Sequence, residues 1–284
     1  NTIERNLIQG WNTTSTGNDL SVIYFNGNTF TNTLIQMNKI QDGSKGIYMQ
    51  GSATGVQILQ NNFVNQYYHG IDAATQTSLT ISRNTISSVA SYSNYIGINL
   101  STSGSSLIIT RNKIAVTTGY MGLALSSCTA TAGTRGLIAN NMISIAGSNN
   151  GYGIYNASTS YQNYYYNSVN MTRTSTSAYA FYCGTNMNGY LQLQNNIFSN
   201  TGGGFAIYTD YTNLINVSDY NDLYATGTYV GYWGGSYCVT LAAWRSASGL
   251  DVHSVSILPE FVSTSDLHTQ GYLLDNLAYP VAGV

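Results

Sequence analysis

Acid, base and cation come together in only one part of this sequence. Asp42 and Lys45 precede the run GIYMQ (46–50), and His69 and Asp72 lie in the matching run HGIDA (69–73). Two carboxylates set ~5–9.5 Å apart across a glycosidic bond suffice for hydrolysis, and Asp42 with Asp72 could span that distance. Elimination from a polysaccharide needs a base such as Lys or His together with neutralisation of an acidic sugar. The competing explanation is a solvated ion-pair cluster on a charge-poor surface, where such pairs contribute little. Metal chemistry has no foothold. Cys128, Cys183 and Cys238 are odd in number, without a CxxC or Cys/His cluster, and read as isolated buried thiols. No metal and no cofactor is expected.

Composition narrows the partners. Charged residues make up 7% of the 284 residues, Tyr occurs 25 times, and the net charge is −2. The polar surface must therefore be built from Ser, Thr, Asn, Gln and Tyr. There is no basic footprint for nucleic acid, and no apolar run reaches the ~18–20 residues of a transmembrane helix. Residue 1 is Asn and no signal peptide is visible, so the chain reads as an excised piece with flanking modules in a longer protein.

The elements that must position these residues are repeats. An Asn two residues before an apolar one recurs at Asn38, Asn62, Asn84, Asn112, Asn141, Asn167, Asn196 and Asn221, at intervals of 24, 22, 28, 29, 26, 29 and 25 residues, with a looser copy at Asn6. After each of the first seven, by 8 to 13 residues, comes a small residue and an alternating run: GIYMQ, GIDAA, GINLS, GLALS, GIYNA, AFYCG, AIYTD. A period in the 20–50 range marks a repeat architecture. Alternation with period two makes its elements short strands. Such strands can wind as rungs, each pairing in parallel with the next around a continuous core. The recurrent Asn suits a tight left-handed turn, and stacked amides can satisfy one another like the Asn ladders of cross-β structures.

This pattern, over about residues 3–225, resembles the right-handed parallel β-helix family, the pectate-lyase-like superfamily. The resemblance and the general right-handedness of β-crossovers imply an all-β, right-handed, single-stranded parallel β-helix of about eight to nine rungs. Lyases of that family usually carry several acidic calcium ligands or a run of basic residues, and neither is present here. In the family the strand after the variable turn is the usual substrate face, which here is the GIxx strand. With its third residue outward, one column reads Tyr24, Tyr48, Asp72, Asn99, Ala124, Tyr155, Tyr182, Tyr208. At a rung spacing of ~4.8 Å, Tyr155, Tyr182 and Tyr208 would form a flat ladder on which pyranose C–H faces could pack; the plainer role is stabilising the sheet face. Arg83 and Arg111, each just before a ladder Asn, read as outward stacking residues and not as an anion clamp.

After Asn221 the period fails, so residues 226–284 are expected to form a capping segment of the same domain as rungs 1–225. Thr240 can cap LAAWRSAS and Gly249 can stop it, giving a short helix over the last rung with Trp244 as plug. The stretch YNDLY…GYW…TLAAWRSASGLDVHSVSILPEFVSTSDLH resembles the closing segment of β-helix modules in large secreted proteins of the Bacteroidota, often passengers of the type IX secretion system. That resemblance implies a secreted or outer-surface location and a structural role for Asp266 and His268. The leading expectation is a non-enzymatic surface module, an adhesin or stalk unit binding a glycan or cell-surface polymer through the Tyr face. The alternatives are a polysaccharide-active enzyme, hydrolase or lyase, and a passive spacer.

Overall fold

Strands of three to seven residues follow one another along three faces, each too short to stand without the rung above and below it. The computed structural model describes residues 1–27, 30–89, 92–185 and 189–284. A typical rung places Ile108–Thr110 on the first face, Lys113–Val116 on the second and Met121–Ser126 on the third, then returns through a loop to Gly136–Ala139 on the first. Among the described residues the faces hold nine, nine and ten strands, and neighbours within each face come from successive rungs. All pairings within the three faces are parallel except the last, where Gly231–Trp233 turns back antiparallel onto Ser236–Cys238. The fold is a parallel β-helix of about eight turns.

The core is three apolar columns. Ile35, Ile58, Ile81, Ile109 and Ile138 stack in register on the first face, continued by Tyr164 and Leu193, all at 0% exposure. Ile40, Phe63, Ile86, Ile114 and Ile143 do the same on the second, and Ile47, Ile71, Ile98, Leu123 and Ile154 on the third. The small residue before each third-face Ile has its own reason. A Cβ on Gly97 would stand 2.6 Å from the Gly122 carbonyl oxygen and from Ile114 Cγ2; one on Gly153 would stand 2.3 Å from Val169 Cγ1. The strand bends there, so two consecutive residues face the core and only the smallest fits first.

The Asn column stands at the corner between the first and second faces. Its members are Asn38, Asn61, Asn84, Asn112, Asn141, Asn167, Asn196 and Asn221. Asn61 replaces the expected Asn62, which is exposed at the start of the next strand. In "LQNNF" both Asn precede an apolar residue, and only corner geometry separates them. In each rung the backbone N–H and Nδ2 of one Asn donate to Oδ1 of the next, as from Asn84 to Asn112 at 3.0 Å each, and Nδ2 also donates to a carbonyl, here Ile58 O at 2.8 Å. Each buried amide is thus saturated. The left-handed residue of the turn is not the ladder Asn but the one before it: Gln60 (φ 56), Arg83 (φ 57), Arg111 (φ 58), Asn140 (φ 57), Tyr166 (φ 54). These side chains point to solvent or lie on the surface, as expected of Arg83 and Arg111, both exposed.

Beyond residue 225 one more parallel strand, Gly231–Trp233, joins the third face before helix α1 (Leu241–Ser248) crosses the end. Thr240 Oγ1 accepts from Ala243 N–H, and Gly249 closes the helix at φ 72. Trp244 is fully buried and packs edge-to-face on Trp233 at 5.3 Å. The chain then runs back outside the rungs. Tyr279 stacks on Tyr220 and exchanges backbone hydrogen bonds with the Asn195 amide. Asp266 and His268 pair with each other in a local turn. Cys128, Cys183 and Cys238 are free and buried, and burial pushes the Cys128 and Cys183 thiols up to about 12.

Candidate functional site

The third face carries two outward columns, one on each side of the bend. The first runs in register through Tyr24, Tyr48, Asp72, Asn99, Ala124, Tyr155, Tyr182, Tyr208 and on to Tyr232. Tyr155 and Tyr182 stack at 5.2 Å with their rings 6° from parallel; Tyr182–Tyr208 is 5.6 Å and 23°, Tyr208–Tyr232 4.4 Å and 14°. All four are half-buried. The second column is Lys45, His69, Ile96, Met121, Tyr152, Tyr179 and Phe205. Tyr152 stacks on Tyr179 at 5.2 Å, Tyr179 on Phe205 at 5.6 Å, and Tyr229 extends the stack. Edge contacts such as Tyr152–Tyr155 and Tyr179–Tyr208 knit the columns together. The result is one aromatic platform two columns wide over the last rungs. At its end a groove is lined by Tyr179, Phe205, Tyr208, Tyr229 and Tyr237.

The second column was not legible from strict alternation, because the bend puts two core-facing residues between Tyr152 and Tyr155. The usable signal is an aromatic directly before the small residue, as in YGIY (152–155), YAFY (179–182) and FAIY (205–208).

At the other end of the same two columns, Lys45, His69 and Asp72 meet. Lys45 Nζ lies 2.5 Å and His69 Nδ1 3.1 Å from Asp72 Oδ2, and Asn99 Nδ2 donates to Asp72 Oδ1 at 2.9 Å. Lys45 also donates to Asn18 Oδ1 and sits 3.9 Å above the Tyr48 ring. Tyr68 stacks on His69 at 3.8 Å. Burial by itself would raise the Asp72 carboxyl, but the His69 and Lys45 contacts outweigh it and hold it at about 2. Burial pushes His69 down, so it is neutral at pH 7. Both Asp72 oxygens are occupied from within the cluster. Asp42 does not join it: it lies at a corner with φ 60, accepting from Gln9 and Gln41. Three of the four expected residues converge, therefore, and the second carboxylate is elsewhere. Tyr24 packs against Tyr48 at 5.2 Å beside the cluster, the rings tilted by 36°. Among the described residues no group of three or more His, Cys, Asp or Glu is placed to hold a metal.

No curated protein and no solved structure matches the chain. A family model described as a right handed beta helix region matches residues 21–155. Together with the parallel ladders this fixes the fold as a right-handed parallel β-helix.

Proposed function

We propose that the chain is a non-enzymatic β-helical module, an adhesin or stalk unit of a secreted or cell-surface protein, whose aromatic platform binds glycan chains. One observation carries the reading: two in-register aromatic columns present the edges of half-buried Tyr rings at rung spacing, with Phe205 buried among them. A saccharide unit is of similar length, and with the ring faces stacked on one another the platform offers a sugar the ring edges for C–H contact and the Tyr hydroxyls for hydrogen bonds. Large, partly exposed apolar patches of this kind mark binding surfaces. The Bacteroidota and type IX secretion context rests on the closing-segment resemblance alone. A test is glycan-array binding followed by titration of Tyr182→Ala, which should weaken binding by ~1–2 kcal/mol, the scale of a lost aromatic contact. Full binding by that variant would reduce the module to a spacer.

The enzyme alternative draws on the convergence of Lys45, His69 and Asp72. It requires that new reducing ends or unsaturated products appear on incubation with polysaccharide, and that Asp72→Asn abolish them.

A further inference from the structure

We infer that Asp210 sets the charge selectivity of the aromatic platform, admitting neutral and amino-bearing saccharide chains and disfavouring uronates. The inference rests on the glycan-binding reading above. Asp210 follows the third-face strand Phe205–Thr209, with its backbone N–H donating to Cys183 O at 3.1 Å. Its Oδ2 accepts the Tyr182 hydroxyl at 2.6 Å, in the middle of the Tyr155–Tyr182–Tyr208 stack. Its Oδ1 has no hydrogen-bond partner among the described residues, and the residue is only half-buried. Gly184 leaves the space for this meeting: a Cβ there would stand 2.3 Å from the Tyr182 hydroxyl and 2.5 Å from Asp210 Oδ2.

The same carboxylate reaches the neighbouring rings. The hydroxyls of Tyr155, Tyr179, Tyr182 and Tyr208 are each raised by burial first and by Asp210 among the further causes. Among the described residues no Lys or Arg stands over these four rings or pairs with Asp210. A ligand lying along the ring edges of the platform therefore meets a carboxylate with one oxygen free to accept. A hydroxyl or ammonium group can donate to that oxygen. A uronate carboxylate brings only acceptors and a like charge.

The experiment is calorimetric titration of the whole chain at pH 6 with three β-1,4-linked oligomers of equal length: a neutral glucan, a glucosamine oligomer and a uronate oligomer. Affinity should fall in the order amino, neutral, uronate, by about two- to fivefold per step, the range for single exposed charge pairs. The steps should shrink as salt is raised, because screening acts on charge and not on stacking. Asp210→Asn, which keeps an oxygen for Tyr182, should bring the three affinities together. Equal affinities that ignore salt in the wild type, or tightest binding of the uronate, would overturn this inference while leaving glycan binding intact. Binding of none of the three would remove the glycan reading and this inference with it.

Discussion

Asn221 Nδ2 donates to Asp251 Oδ1 across 3.0 Å, and that contact ends the internal amide column. Each ladder Asn passes two donors forward to the next Oδ1; the last one divides them, its backbone N–H going to Ser254 Oγ at 2.8 Å and its Nδ2 to Asp251 Oδ1, and the Ser254 hydroxyl donates on to the same carboxylate oxygen. A carboxylate can collect these donors because it only accepts. Asp251, 1% exposed, accepts from Asn221, Ser218 and Ser254 on Oδ1 and from the Trp244 indole on Oδ2 at 2.7 Å. Asp251, together with Ser254, therefore terminates the column, and its second oxygen anchors the helix that covers the last rung.

Replacing Asp251 by Leu should strand several buried donors at once. The expected loss is about 3 kcal/mol or more, since one unsatisfied buried group costs ~1–3 kcal/mol. Asp251→Asn should lose less, because one oxygen remains while the amide nitrogen faces donors. Urea unfolding reads this as a lower midpoint at constant slope. An unchanged midpoint in the Leu variant would remove Asp251 from the role of terminator.

The column also offers a paired test one residue apart. Asn61→Leu should destabilise by ~1–3 kcal/mol, because Asn38 loses its acceptor and the buried Ile35 carbonyl loses its donor. Asn62→Leu should stay within about 0.5 kcal/mol, as surface changes away from special features do. Equal effects in the two variants would contradict the assignment of the corner.

Legibility follows the physics of each feature. The Ile columns and Tyr155, Tyr182 and Tyr208 were readable because a period of two along the strand and a period of about 26 between rungs both leave marks in the sequence. The choice between Asn61 and Asn62 was not, because either can precede an apolar residue, and the deciding event is the left-handed turn at Gln60 (φ 56). The Tyr152–Tyr179 column was hidden by the bend that turns Gly153 inward. Asp42 and Asp72 seemed neighbours because they lie in adjacent rungs, but one sits at a corner and the other on a face. Asp210 gave no signal at all: it becomes notable only once the Tyr182 hydroxyl is seen to reach it.

Asp222 supplies the last prediction. It begins the final second-face strand, and its backbone bridges to Val255 in the returning chain. Oδ1 accepts from Ile257 N–H at 2.9 Å, but Oδ2 is buried with no partner. Burial outweighs that one hydrogen bond and raises the carboxyl to about 7. An unfolded Asp titrates near ~3.9. Between these values the folded chain keeps a proton that the unfolded chain has released, so this group lowers stability as pH rises from about 4 to about 7, with no further change above. His69 acts in the opposite sense, since its lowered pKa costs stability as pH falls below about 6.5. The Asp222 contribution must therefore be read as a difference from a variant. Asp222→Asn should melt higher than the wild type at pH 8, and the gap should close as pH approaches 4. A gap that does not vary with pH would mean that Asp222 is already ionised at neutral pH.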